Sequence, residues 1–164
     1  HRNGFAHHDI KPANLMFDRL DLEAEDWEAQ FLRSKVKITD FGFVHKYPRG
    51  QRLMEKNKNI GTPLYISHDK WTTRDHYDAA LADAYALGVS LLKCLYGGKA
   101  FLDHVKHHVT SGGQPIETLL DRWLAKQHHH KVPRDSPPII AIRELIQKYA
   151  NLRSYVSDVV KYFD

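Results

Sequence analysis

The most constraining feature of this chain is a short polar run that an apolar segment follows at once. His7, Asp9, Lys11 and Asn14 come in order, and Leu15-Met16-Phe17 follows them. A carboxylate such as Asp9 can orient a substrate hydroxyl and accept its proton, and Lys11 can neutralise charge on a phosphoryl group. The amide oxygen of Asn14 can bind Mg²⁺. The run therefore suits phosphoryl transfer.

A second motif, Asp40-Phe41-Gly42, follows residues 36–39, where apolar and polar side chains alternate as in a strand. A carboxylate at a strand end can bind the metal that bridges ATP phosphates, and Gly42 permits the backbone to turn. We predict that residues 15–17 and 36–39 pair as a hairpin. Turn and capping residues around a hairpin are the alternative explanation, but the order and spacing of both motifs favour chemistry.

Helical periodicity dominates the rest of the chain. Leu20, Ala24, Trp27 and Phe31 recur at helical spacing among acidic residues, which predicts an acidic helix in an insert at about residues 18–33. Further helices are predicted over residues 78–96, 116–127, 138–150 and 154–163. We expect one domain over residues 1–164, mainly α, with one or two short β-hairpins at the catalytic and metal-binding loops.

Together these motifs resemble the protein-kinase signature, in which a His-Arg-Asp catalytic loop ending in Asn precedes Asp-Phe-Gly. The resemblance continues through Gly61-Thr62-Pro63-x-Tyr65 and through Asp83-x-Tyr85-x-Leu87-Gly88. It implies the C-terminal lobe of a eukaryotic-type serine/threonine protein kinase, a helical bundle, with the N-terminal ATP-binding lobe outside this chain. The isolated lobe is expected to be inactive, since ATP binds between the lobes.

The resemblance also implies a role for each matching residue. Asp9 and Lys11 would be catalytic, Lys11, Asn14, Met16 and Asp40 would contact ATP, and Asn14 and Asp40 would hold Mg²⁺. Gly61 and Thr62 would belong to the activation segment, and structural support would come from His7, Phe41, Gly42, Asp69, Asp83 and Arg153. Lys11 and Thr62 resemble serine/threonine kinases, so the expected acceptors are Ser and Thr hydroxyls of protein substrates.

The chain departs from the family pattern in three respects, and the first two concern regulation. His8 replaces the Arg that often clamps a phosphorylated activation segment, and residues 43–60 contain no Ser or Thr, Tyr47 being their one hydroxyl. We therefore expect a kinase that does not require phosphorylation of this segment. Asp69 stands where the family has the Glu of Ala-Pro-Glu, which shortens its reach towards Arg153. Residues 57–62 are similar to the casein-kinase-one group.

Other partners and compartments are disfavoured by composition. The most apolar stretch, residues 79–96, is broken by Asp83 and Lys93, so no membrane span is predicted. A formal charge of +4 does not imply nucleic acid binding. The single Cys94 and the absence of a secretory leader indicate an intracellular protein, cytoplasmic or nuclear.

Two other functions stay open at this point. A pseudokinase acting as a scaffold or regulator would keep the fold without the activity, and His8 and Asp69 are compatible with it. A small-molecule phosphotransferase would share a catalytic Asp and a downstream Asn, but residues 61–65 argue against that class. The expected partners are therefore protein substrates and the protein's own N-terminal lobe.

Overall fold

The computed structural model describes residues 1–48, 53–55, 60–97, 116–126 and 133–163. The strands are β1 Phe5–Ala6, β2 Leu15–Phe17, β3 Val36–Ile38, β4 His45–Lys46, β5 Leu53–Glu55 and β6 His76–Asp78. The helices are α1 Trp27–Arg33, α2 His68–Thr72, α3 Ala79–Tyr96, α4 Glu117–Lys126, α5 Pro137–Leu145 and α6 Val156–Val159. Short 3₁₀ turns cover Pro12–Asn14, Phe41–Phe43, Pro63–Tyr65, Ala150–Leu152 and Val160–Tyr162.

The strands form three antiparallel pairs, β1 with β4, β2 with β3, and β5 with β6. The predicted hairpin is the second pair, in which Leu15 lies opposite Ile38 and Phe17 opposite Val36. This one short hairpin agrees with the expectation of one or two. The other two pairs join segments distant in sequence, and local sequence patterns do not predict such pairing.

The predicted insert helix was placed too early. Its regular part begins at Trp27, and residues 22–26 form turns and a bend instead. Phe31 does pack against Phe17 of β2, with ring centroids 5.0 Å apart. No residue of α1 is buried, and Trp27 is 41% exposed. The periodicity therefore predicted the helix but not a buried face.

Helix α3 is the central element of the fold. Asp78 caps its start by accepting hydrogen bonds from the backbone amides of Ala80 and Leu81, at 2.9 and 3.0 Å. Gly88 lets α5 approach closely, because a Cβ at Gly88 would lie 2.7 Å from the Leu145 Cβ. The largest core cluster contains Ile10, Tyr65, Val89, Leu92, Leu120, Ile139, Ile142 and Ile146.

Two expectations for the helices need correction. The helix predicted over residues 138–150 ends at Leu145, and the last predicted helix is a single turn, α6, followed by a 3₁₀ turn. Within α3, Val89 and Leu92 are fully buried, whereas Leu91 is 36% exposed. Across the described ranges, no helix is both long and apolar enough to cross a bilayer.

Candidate active site

Helix α3 fixes the backbone of the loop at residues 7–9 through hydrogen bonds. The carboxylate of Asp83, which is 4% exposed, accepts hydrogen bonds from the backbone amides of His7 and His8 at 2.7 and 2.8 Å. The ring of His1 donates to the same carboxylate at 2.9 Å. These contacts hold His8 at a φ of +68°, a conformation that residues other than glycine rarely adopt.

Four donors converge on the buried carboxylate of Asp9. Its Oδ1 accepts hydrogen bonds from the Thr62 amide at 2.9 Å and from the Thr62 hydroxyl at 2.7 Å. Its Oδ2 accepts from the Lys11 ammonium at 2.7 Å and from the Asn14 amide at 3.3 Å. The Lys11 ammonium also donates to the Thr62 hydroxyl, at 3.0 Å. Residues far apart in sequence thus fix the direction of one carboxylate.

The same contacts determine the charge of Asp9. Burial acts to raise the pKa of its carboxyl, but hydrogen bonds from Lys11 and Thr62 outweigh it and hold the pKa below its ordinary value. Asp9 is therefore an anion at neutral pH. An oriented anion beside an ammonium group can accept a hydrogen bond from an incoming hydroxyl.

Asn14 and Asp40 lie at the open end of the hairpin formed by β2 and β3. The amide of Thr39 donates to the Asn14 carbonyl at 2.9 Å, which ties the start of β2 to the residue before Asp40. The Asn14 side-chain nitrogen donates to the Asp9 carbonyl at 2.9 Å, so its amide oxygen remains available as a ligand. Asp40 is exposed, and its Oδ1 accepts from the Gly42 amide at 3.4 Å.

This donor set fits a hard divalent cation. A carboxylate and an amide oxygen are ligands that Mg²⁺ prefers, and two protein ligands leave positions for phosphate oxygens. Asp40 has a φ of +59°, and a short polar residue tolerates that conformation better than a branched one. Met16 lies beside the site on β2, with 55% of its surface exposed.

An apolar cavity of about 550 Å³ lies next to these residues. His7, Phe41 and Asp83 are among the residues that line it. The His7 and Phe41 rings are 5.7 Å apart in an edge-to-face arrangement, and His7 Nε2 donates to the Thr39 carbonyl at 3.0 Å. These contacts link the loop at residues 7–9 to the Asp40-Phe41-Gly42 turn.

Comparison with known proteins decides the family. The sequence pattern of the protein kinase domain matches residues 1–162. The chain belongs to the protein kinase family. It is 27% identical to the CBL-interacting protein kinase 25 of Oryza sativa subsp. japonica, over 98% of this chain and 27% of that protein. It is 34% identical to the SNF-related serine/threonine-protein kinase of Homo sapiens, over 97% of this chain and 17% of that protein.

A third relative is the serine/threonine-protein kinase TOS3 of Saccharomyces cerevisiae (strain ATCC 204508 / S288c). It is 28% identical over 97% of this chain and 28% of its own length. The kinase-family chain thus spans less than a third of each of these three relatives. The family matches cover both polar motifs and the helices that follow.

In this kinase domain, Asp69 and Arg153 form a buried ion pair. The sequence had indicated both residues as structural support. Arg153 is fully buried at its side chain, and its Nη2 donates to Asp69 Oδ1 at 2.9 Å. The guanidinium also donates to the backbone carbonyls of Leu81, Gln147 and Lys148, at 2.8 to 3.1 Å. The shorter Asp therefore reaches Arg153 because α2 lies close to it.

Sequence reasoning missed one residue of this site. Lys70, next to Asp69 on α2, is only 3% exposed and donates to the Ile60 carbonyl at 2.9 Å. Its Nζ lies 3.4 Å from the Nδ1 of His8. A lysine near the start of a short polar helix is usually solvated, so the local pattern carries no signal for its burial. The replacement of Arg by His8 was the only indication that this region is unusual.

Proposed function

We propose that the full-length protein is a serine/threonine protein kinase to which this chain contributes the C-terminal lobe. The observation that carries the proposal is the convergence of Lys11, Asn14 and Thr62 on the Asp9 carboxylate. This arrangement places an ammonium group beside an oriented carboxylate, which suits the transfer of a phosphoryl group to a hydroxyl. The N-terminal lobe and ATP complete the site.

In this proposal the Asp9 carboxylate accepts a hydrogen bond from the substrate hydroxyl and orients its oxygen towards the γ-phosphorus. Its lowered pKa makes it a weak base, so it takes the proton late, as the new oxygen–phosphorus bond forms and the bond to the ADP oxygen breaks. Lys11, 2.7 Å from Asp9, stabilises the negative charge on the phosphoryl oxygens. Asn14 and Asp40 would hold Mg²⁺, which supplies charge neutralisation at the phosphates.

Ser or Thr is favoured as the acceptor because Lys11 and Thr62 resemble the residues of serine/threonine kinases, and both contact Asp9. The three relatives described above, two of them named as serine/threonine kinases, support the same acceptor class. A protein substrate would bind beside Gly61 and Thr62, because these residues adjoin the Asp9 carboxylate. The protein would act inside the cell, in the cytoplasm or the nucleus, where ATP is abundant.

The test is ATP-dependent labelling of generic protein substrates by the full-length protein and by Asp9→Asn. Asparagine keeps the size and the acceptor oxygen but lacks the negative charge, so kcat should fall about 100-fold or more. Asp121→Asn is the matched control, because Asp121 lies on α4 in an exposed pair with Arg143. Full activity of Asp9→Asn would contradict the mechanism. A wild-type protein that labels no substrate would instead favour a scaffold.

A further inference from the structure

Lys70 is a buried ammonium group with an unusual set of partners. It donates to the Ile60 carbonyl at 2.9 Å, lies 3.4 Å from His8 Nδ1, and lies 5.3 Å from the centre of the Tyr77 ring. In the described part of the chain, Lys70 takes part in no salt bridge. A buried cation without a carboxylate partner costs stability, so the presence of a lysine at this buried position needs an explanation.

Because the Lys70 ammonium group can only donate, the His8 Nδ1 at 3.4 Å is placed to accept from it. Burial lowers the pKa of Lys70 to about 8, although Asp83, Asp9 and Asp69 oppose the decrease. Burial, followed by the charge of Lys70, lowers the pKa of His8 to about 4. At neutral pH His8 is therefore uncharged and Lys70 is still largely protonated, so the imidazole can accept a hydrogen bond from the ammonium group.

A short path of backbone connects Lys70 to the Asp9 carboxylate. The carbonyl that Lys70 binds belongs to Ile60, and Gly61 follows with a φ of +109°. A Cβ at Gly61 would lie 2.4 Å from the His8 carbonyl oxygen, so the turn at Gly61 packs directly against the loop at residues 7–9. Thr62 comes next and donates two hydrogen bonds to Asp9. Only one residue separates the carbonyl held by Lys70 from the residue that orients the carboxylate.

We propose that Lys70 is a positioning residue, which together with neutral His8 anchors residues 60–62 against the catalytic loop. The buried ammonium group thereby holds the activation segment in place. In kinases that require phosphorylation of this segment, the phosphate has that role. This inference rests on the proposed kinase function. It joins two facts of the sequence, the replacement of Arg by His8 and the lack of Ser and Thr in residues 43–60, to one buried cation.

The test compares the full-length wild type with Lys70→Met, which keeps the volume of the side chain and removes the donor. We expect kcat to fall about tenfold or more, because Thr62 no longer holds Asp9 in one orientation, while KM for ATP stays within about twofold. The unfolding temperature should not fall, since a buried charge is removed. Lys161→Met is the matched control, because Lys161 is exposed.

Hydrogen exchange of the Thr62 amide gives a readout that does not depend on activity. This amide donates to Asp9 at 2.9 Å, and its exchange should be faster in Lys70→Met and unchanged in Lys161→Met. Unchanged kcat and unchanged exchange in Lys70→Met would overturn the proposal. A fall in kcat that is accompanied by a lower unfolding temperature would also overturn it, because it would show a merely structural role.

Phosphatase treatment of the wild type covers the case in which Lys70→Met does not fold. Mass spectrometry would first establish whether Tyr47, the one hydroxyl in residues 43–60, carries phosphate. The proposal expects unchanged kcat after treatment. Loss of kcat on removal of phosphate from Tyr47 would overturn it. A wild type without any transferase activity would contradict the proposed function instead, and exchange at Thr62 would still test the anchoring.

Discussion

Arg153→Met offers the sharpest test of how α2 is held against the rest of the domain. The substitution keeps much of the apolar stem and removes the guanidinium, whose central carbon lies 4.9 Å from the centre of the Tyr85 ring. Asp69 then loses the partner of its Oδ1, and the carbonyls of Leu81, Gln147 and Lys148 lose a donor. The variant therefore leaves one carboxylate and several backbone acceptors unsatisfied.

The expected cost follows from burial. Removing one partner of a buried ion pair typically costs about 3–5 kcal/mol, because the remaining charge stays desolvated and uncompensated. The Arg153 side chain is 0% exposed and that of Asp69 is 20% exposed, so the pair belongs to that class. For a domain of this size the loss corresponds to a fall in unfolding temperature on the order of 10 °C.

The chain provides its own control for this prediction. Arg143 and Asp121 are also 2.9 Å apart, but their side chains are 38% and 54% exposed. Arg143→Met should therefore cost less than about 1 kcal/mol, because solvent screens an exposed pair. Scanning calorimetry of both variants in the full-length protein measures the difference. Equal costs for the two substitutions would show that burial does not determine the strength of the Arg153 pair, and our reasoning would be wrong.

Three further predictions concern α3, the catalytic loop and the Asp9 carboxylate. Gly88→Ala should destabilise the protein by about 1–3 kcal/mol in urea unfolding, because the new methyl group meets the Leu145 Cβ at 2.7 Å. Since the folded pKa of His8 is about 4 and the ordinary value is 6.5, stability should fall by about 3 kcal/mol as the pH drops from 6.5 to 4, and His8→Gln should lack this loss. Thr62→Val removes a hydroxyl that lowers the pKa of Asp9, so the acid limb of the pH profile of kcat/KM should shift to higher pH.

The sequence predicted best those features that depend on neighbours in the chain. The hairpin of residues 15–17 and 36–38 follows from an apolar run and from strand alternation, and the start of α3 follows from helical periodicity. The end of α5 could not be predicted locally. Arg153 binds the carbonyls of Gln147 and Lys148, and these tertiary hydrogen bonds stop the helix at Leu145 although the apolar periodicity continues.

The candidate site shows the same division. Asp9, Lys11 and Asn14 could be proposed from their spacing, since each offers a group that suits phosphoryl transfer. The contacts of Thr62 with Lys11 and Asp9, and of Lys70 with His8, span 51 to 62 residues, and no periodicity indicates which buried groups will meet at that distance. The family resemblance supplied a role for Thr62, but it offered none for Lys70.

Backbone strain links the two parts of the site. Among the described residues, His8 and Asp40 are the only residues other than glycine with a positive φ, and both adjoin or belong to the polar motifs. Each such residue costs about 1–3 kcal/mol and persists only where surrounding contacts impose it. Asp83 supplies those contacts at His8 by binding two successive amides. Asp83 thus fixes the backbone of His8, whose ring lies 3.4 Å from Lys70, so the loop at residues 7–9 and the contact with Lys70 share the support of one carboxylate.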